Sequence, residues 1–297
     1  MTVLLSALAS LLLGVGFVLQ QRAAARAPMS DLLTFRLFAD LLHYREWVLG
    51  LLSMISGQIL SGLALGQGKL TVVEPVLATN LLFALFLASR LSRERLGRVE
   101  WAGVIALSAG VAAFTLTVRW SDQWSPSLTT AARWPSAGGM GLLALLLAWA
   151  GRRRSRPESS ATLFAAGAGL CFGIQDALTR RVIGALENAR WMAVIADWPA
   201  YCLIAVAVVG LLLMQSAFRL APLRVSLPLV TSLEALGGIT LGILVFGDGL
   251  DVAPAALVVE GLSLAAMVAG VFVVGRHELL ASGGQPTRTP EGGRGRC

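Results

Sequence analysis

The chain has 297 residues, 56% of them hydrophobic and only 14% charged, with a mean hydropathy of +0.73. A soluble domain usually carries about 25% charged residues, so the composition argues against a soluble catalytic domain and for an all-α integral membrane protein. The net charge of +7 does not point to nucleic acid, because the basic residues sit in short clusters between long apolar runs, as they do in the loops of membrane proteins.

The first apolar run, about 3–22, is read as a span and not as a cleaved signal peptide. Ala23-Ala24-Ala25 would suit cleavage, but Met1-Thr2-Val3 supplies no positive n-region, and Arg22 and Arg26 follow the run. Residues 28–45, PMSDLLTFRLFADLLHYR, are too polar to span. Leu33, Leu37 and Leu41 recur at i, i+4 with Phe38 and Leu42 beside them, which predicts an amphipathic helix lying in the cytoplasmic interface. Further spans are predicted at about 47–66, 70–90, 99–118, 134–151, 161–184, 192–215, 222–246 and 254–275. That makes about nine transmembrane helices, each near the roughly 20 residues a bilayer requires. The tail from 277, with GGQPTRTPEGGRGR, is rich in Gly and Pro and predicts disorder.

Orientation follows from the arginines. With the N-terminus outside, the cytoplasmic side holds the clusters Arg22 to Arg45, Arg90 to Arg98, Arg152 to Arg156, Arg219 with Arg224, and those from Arg276 onward. The outer side keeps Lys69, Arg119, Arg133, Arg180, Arg181 and Arg190. The bias is about threefold and sets N outside, C inside; the pair Arg180-Arg181 runs against it.

Two stretches repeat. One helix carries Pro75 and ends in RLSRERL (90–96); another carries Pro228 and ends in LVFGDGL (244–250), so that Glu94-x-Leu96 matches Asp248-x-Leu250. Four helices lie in 3–118 and four in 161–275, with the single helix 134–151 between them, which makes the halves antiparallel, an inverted repeat. The expected organisation is therefore a first transmembrane repeat over 1–118, a linker with the joining helix over 119–160, a second, inverted repeat over 161–276, and a cytoplasmic tail over 277–297.

These segments carry a resemblance. GVGFVLQQRA (14–23), WVLGLLSMISGQ (47–58), the Pro75 helix ending in SRLSRERL (89–96), WAGVIALSAGVA (101–112), LPLVTSLEALGG (227–238) and LVFGDGL follow one another as in the drug/metabolite transporter superfamily, of the EamA-like kind. The pattern most resembles its NIPA-like branch and covers nearly the whole chain. The resemblance implies a bacterial inner-membrane transporter, with Mg²⁺ as the cargo associated with NIPA-like proteins. Two departures stand out. The superfamily usually has ten helices, and this chain has Gln58 where a NIPA-like helix tends to carry an acid.

Charged groups at a bilayer centre are unfavourable by about 2.5–3.5 kcal/mol each and usually face a cavity or a partner. Glu234 and Asn80 each lie about 15 Å into their helices, six and five residues after the repeat prolines, and Gln58 is similarly deep. These three are the candidate substrate-binding residues, although interhelical hydrogen bonding would account for Gln58 and Asn80 equally well. Glu74, Asp176, Asp197 and Glu260 fall in the outer third and, with Asp248 and Asp251 of the outer loop, would form an acidic mouth that attracts cations; these four and Glu234 are the candidates for proton or cation coupling. Arg180, four residues after Asp176, offers that acid a local ion pair instead, and Asp197 and Glu260 could be interfacial. Pro75 and Pro228 predict kinks whose freed carbonyls line a cavity. Small residues four apart, such as Ser6, Ser10 and Gly14 or Gly169 and Gly173, are read as packing stripes. No enzyme motif is present. Cys171, Cys202 and Cys297 form no CxxC, and the two histidines are far apart, so neither a metal site nor a cofactor is expected.

The sequence thus reads as a secondary transporter, an exporter or exchanger of a small metabolite or drug-like solute working by alternating access, with a proton as a candidate coupling ion. A NIPA-like magnesium permease and a non-transporting membrane scaffold are the alternatives. The expected partners are the lipid bilayer and a small-molecule or cation substrate, with a homodimer left open.

Overall fold

In a computed structural model of the chain, the described residues are 2–28, 32–67, 76–77, 79–91, 97–117, 134–187, 197–246 and, in fragments, 258–269. Among them every regular element is helical. The helices are α1 (Thr2–Ala24), α2 (Phe35–Leu42), α3 (Arg45–Gln67), α4 (Asn80–Leu91), α5 (Arg98–Thr117), α6 (Pro135–Arg152), α7 (Pro157–Glu187), α8 (Trp198–Leu220) and α9 (Leu223–Leu241), which continues as a π-helix over Gly242–Phe246. Three of these helices have stretches long and apolar enough to cross a membrane: Thr2–Ala24, Pro157–Thr179 and Trp198–Leu220. Leu49, Leu52, Ile55, Ile59 and Leu63 are exposed along α3, as are Leu142, Leu143, Leu145, Leu146 and Trp149 on α6. Apolar surface this continuous is compatible with a protein that lies in lipid.

Two boundaries differ from the sequence expectation for identifiable reasons. The helix expected at 192–215 is α8. It begins at Trp198, where the Asp197 carboxylate accepts the Trp198 N–H (3.0 Å) and Pro199 stands in the first turn. It runs on to Leu220, because Gln215 and Ser216, polar enough to suggest an end, are fully buried between helices. The helix expected at 161–184 is α7. It starts at Pro157, a favoured first-turn residue, and extends to Glu187. The expected span 254–275 and the disordered tail lie mostly or wholly outside the described residues.

The segment 28–45 contains the expected amphipathic helix. Its helix α2 has eight residues, about 12 Å of rise and too short to span. The Leu37 and Leu41 side chains are fully buried in the main core, while Phe35 and Leu42 are exposed. The leucine stripe is turned into the protein. Leu33 precedes the helix at φ 58°, a conformation that disfavours leucine by about 1–2 kcal/mol. It is held there by its N–H, which donates to Ser216 Oγ (3.2 Å), and by packing against the core.

One core joins α1 to α9, and glycines set its closest crossings. In α1 and α3, Gly16 abuts Gly50 and Met54, and Gly57 abuts Ala9 and Leu13, so the two helices run antiparallel. In α7 and α8, Gly210 abuts Cys171 and Phe172, and Gly167 abuts Leu213, again antiparallel. Each first helix is then crossed by a parallel one. Gly14 of α1 faces Asn80, Phe83 and Ala84 of α4; Gly169 and Gly173 of α7 face Val230, Glu234 and Gly238 of α9.

Candidate functional site

The α7–α9 crossing brings together two of the acids singled out in the sequence. A methyl group at Gly169 would meet the Val230 carbonyl at 2.5 Å, and one at Gly173 would meet the Gly238 nitrogen at 2.8 Å and the Glu234 carbonyl at 2.9 Å. Backbone therefore touches backbone at this crossing. Asp176 lies three residues after Gly173, and its Oδ2 is 3.9 Å from the position a Gly238 Cβ would take. Glu234 lies one turn before Gly238, on the same face of α9. The Asp176 carboxylate acts electrostatically on Glu234. Asp176 is exposed and Glu234 partly so.

The sequence placed Asp176 in an outer mouth apart from Glu234; the structure sets it against Glu234. Gly169, Gly173 and Asp176 share a face of one helix, and Glu234 and Gly238 a face of another, but the spacing alone does not say that the two faces meet. Asn80 opens α4, with its carbonyl 3.1 Å from the Cβ position of Gly14, and α4 packs on both α1 and α9. Gln58 is exposed on α3 beside Ile55 and Ile59 and is not drawn into the crossing. Glu74, Pro75 and Glu260 lie outside the described residues.

Asp197 has two structural tasks. It caps α8, and its Oδ2 is 3.5 Å from Arg181 Nη2, which answers one of the two outer arginines that ran against the charge bias. Asp197→Asn keeps the cap and removes only a half-exposed ion pair, worth about 0–1 kcal/mol. Its melting temperature and its function are both expected to stay near wild type; a large loss of either would assign Asp197 a role beyond capping.

Pro228 is buried and α9 passes through it without interruption. Its carbonyl accepts from Ser232 Oγ at 2.6 Å and Thr231 Oγ1 at 3.2 Å, so the hydroxyls of the following turn bind the proline's own turn. In the other half, Thr79 is a turn residue immediately before α4. The Val76 carbonyl there accepts from Ser10 Oγ (2.7 Å), Thr79 Oγ1 (2.6 Å) and Thr79 N–H (3.1 Å). Among the described residues no group of three or more His, Cys, Asp or Glu is placed to hold a metal ion.

The chain is similar to an uncharacterised protein of Corynebacterium glutamicum, 26% identical over 291 residues that cover 95% of this chain and 97% of the other. No protein-family model and no solved structure matches it.

Proposed function

We propose that the chain is a secondary transporter of the drug/metabolite type in a bacterial inner membrane, working by alternating access around a carboxylate pair. It crosses the membrane about nine times in two inverted four-helix repeats, with N outside and C in the cytoplasm. The observation that carries the proposal is the meeting of Asp176 and Glu234, from two different helices, at a glycine crossing inside an all-helical apolar chain. Ionisable groups in such a setting mark ion and solute pathways. The repeat draws support from packing. In each half the first helix pairs antiparallel with a neighbour and is crossed by a parallel one, at Gly14 with Asn80 and at Gly173 with Glu234.

A pair of carboxylates also suits a hydrated divalent cation, since Mg²⁺ keeps several waters and binds through one or two carboxylates. The magnesium permease is therefore the second reading. Protein reconstituted in liposomes separates them. A pH gradient that drives accumulation of organic solutes, with no Mg²⁺ influx reported by an entrapped indicator, supports the first; Mg²⁺ influx alone supports the second; neither flux in either direction removes both.

The topology makes its own prediction. In a background without native cysteines, single cysteines at Ser121 and at Ser155 are expected to react with an impermeant thiol reagent from opposite faces of the membrane. Labelling from the same face defeats the inverted repeat.

A further inference from the structure

The two halves also meet far from the carboxylates. Gln20 of α1 and Gln215 of α8 are both fully buried, and Gln215 Nε2 donates to Gln20 Oε1 at 2.6 Å. Gln20 Nε2 and Gln215 Oε1 are buried with no hydrogen-bond partner among the described residues, and so is Trp47 Nε1 nearby on α3. As placed, the pair leaves one amide donor and one carbonyl acceptor unused. The same end of the bundle holds two more ties between the N-terminal segment and α8: Leu33 N–H to Ser216 Oγ, and Arg219 Nε to the Ala27 carbonyl. Gln20 and Gln215 lie within the last turns of helices that finish in Arg22 and Arg219, so this is the arginine-rich end. The antiparallel packing of α7 on α8 puts the exposed α6–α7 loop, with Arg152 to Arg156, at this end too.

A half-satisfied buried amide pair is a poor way to glue two helices permanently. Leaving a buried donor or acceptor unmade is unfavourable, and apolar groups of the same shape would hold the interface as well or better. The arrangement does suit a contact that must open, since both amides become fully hydrated when water enters. We propose that Gln20 and Gln215 are the latch of a gate at the arginine-rich end, closed in this structure, where both side chains are fully buried. The inference rests on the alternating-access reading. It adds to that reading which end is sealed in this state and which side chains set the balance between closed and open.

The test measures opening without needing a substrate. Spin labels on cysteines at Arg45 of α3 and Ser155 in the α6–α7 loop, both exposed, report the separation of the halves in a background lacking native cysteines. The wild-type latch is expected to give a closed distance and a minor longer one. Gln20→Leu/Gln215→Leu should deplete the longer population at least tenfold, and Gln215→Glu, which buries a charge, should enlarge it. Should the leucine pair fail to fold, Gln20→Met/Gln215→Met serves in its place, as an unbranched pair. A distance distribution unchanged in the apolar pair overturns the latch and makes the contact static packing. If the distances shift as stated but no variant, wild type included, moves any solute, the gate stands and the transport reading falls. Wild-type transport by the apolar pair overturns the gate and leaves transport intact.

Discussion

Glu234→Gln is expected to insert and fold as the wild type does and to lose transport roughly 10- to 100-fold. The magnitude follows from the interaction removed. A hydrogen bond or contact to a charged group contributes about 1.5–3 kcal/mol, which is about one to two powers of ten in an equilibrium. Glutamine keeps the volume and most of the hydrogen bonding, and it relieves the repulsion from Asp176, so thermal stability is expected to hold or rise. Asp176→Asn should show the same loss, because both acids face one bound species. For that reason the double variant is expected to be little worse than either single one; contacts that serve one ligand are not additive. Transport by Glu234→Gln should also respond less to pH, since a titrating group has gone, whereas Asn80→Ala should weaken solute binding and leave the pH profile in place. Wild-type flux with a wild-type pH profile in Glu234→Gln would show the carboxylate to be structural.

Glu234 and Asn80 stand out in the sequence because they follow Pro228 and Pro75 by six and five residues in largely apolar runs. The helical class was legible for a related reason: long runs without charge permit little else. What did not show was which faces meet. Asp176 has Arg180 one turn away, and a local pair is the simplest reading of such spacing; only the contact of Gly173 with Gly237 and Gly238 reveals that its neighbour across the gap is Glu234. Gln20 and Gln215 gave no signal at all. A glutamine near the end of an apolar run reads as the beginning of the aqueous phase, whereas α8 runs past Gln215 to Leu220. In the folded chain each glutamine is buried by the other, 195 positions apart, a relation with no periodicity to find. The leucine stripe of α2 was visible, but a stripe states only that a face is apolar. Whether lipid or protein covers it depends on where the preceding loop, pinned at Leu33 and Ala27 to α8, puts the helix.

Gly173→Val is expected to do more damage to the fold than any other single substitution considered above. Three backbone atoms lie within 2.9 Å of where its Cβ would be: Gly238 N, Glu234 O and Gly237 C. A crowding side chain can rotate away, but backbone can yield only if the whole of α9 moves. Inserting bulk into a packed core is unfavourable by about 1–3 kcal/mol, sometimes more, and valine adds further methyl groups to a contact that already excludes one. Helix propensity offsets part of this, since glycine is the weaker helix former by about 1 kcal/mol relative to alanine. The offset can be measured at Gly139 of α6, where nothing lies within 4 Å of an added Cβ; Gly139→Ala is expected to raise the melting temperature slightly. At Gly173 the two effects oppose, so Gly173→Ala should lower the melting point modestly, and Gly173→Val should leave little folded protein after detergent extraction. The smaller variant is the more informative about function. Spreading α7 from α9 also separates Asp176 from Glu234, so Gly173→Ala should lose transport out of proportion to its stability while Gly139→Ala loses none. A Gly173→Val protein that melts and transports like the wild type would mean that α7 and α9 do not cross here, and with that the carboxylate pair would be lost as a site.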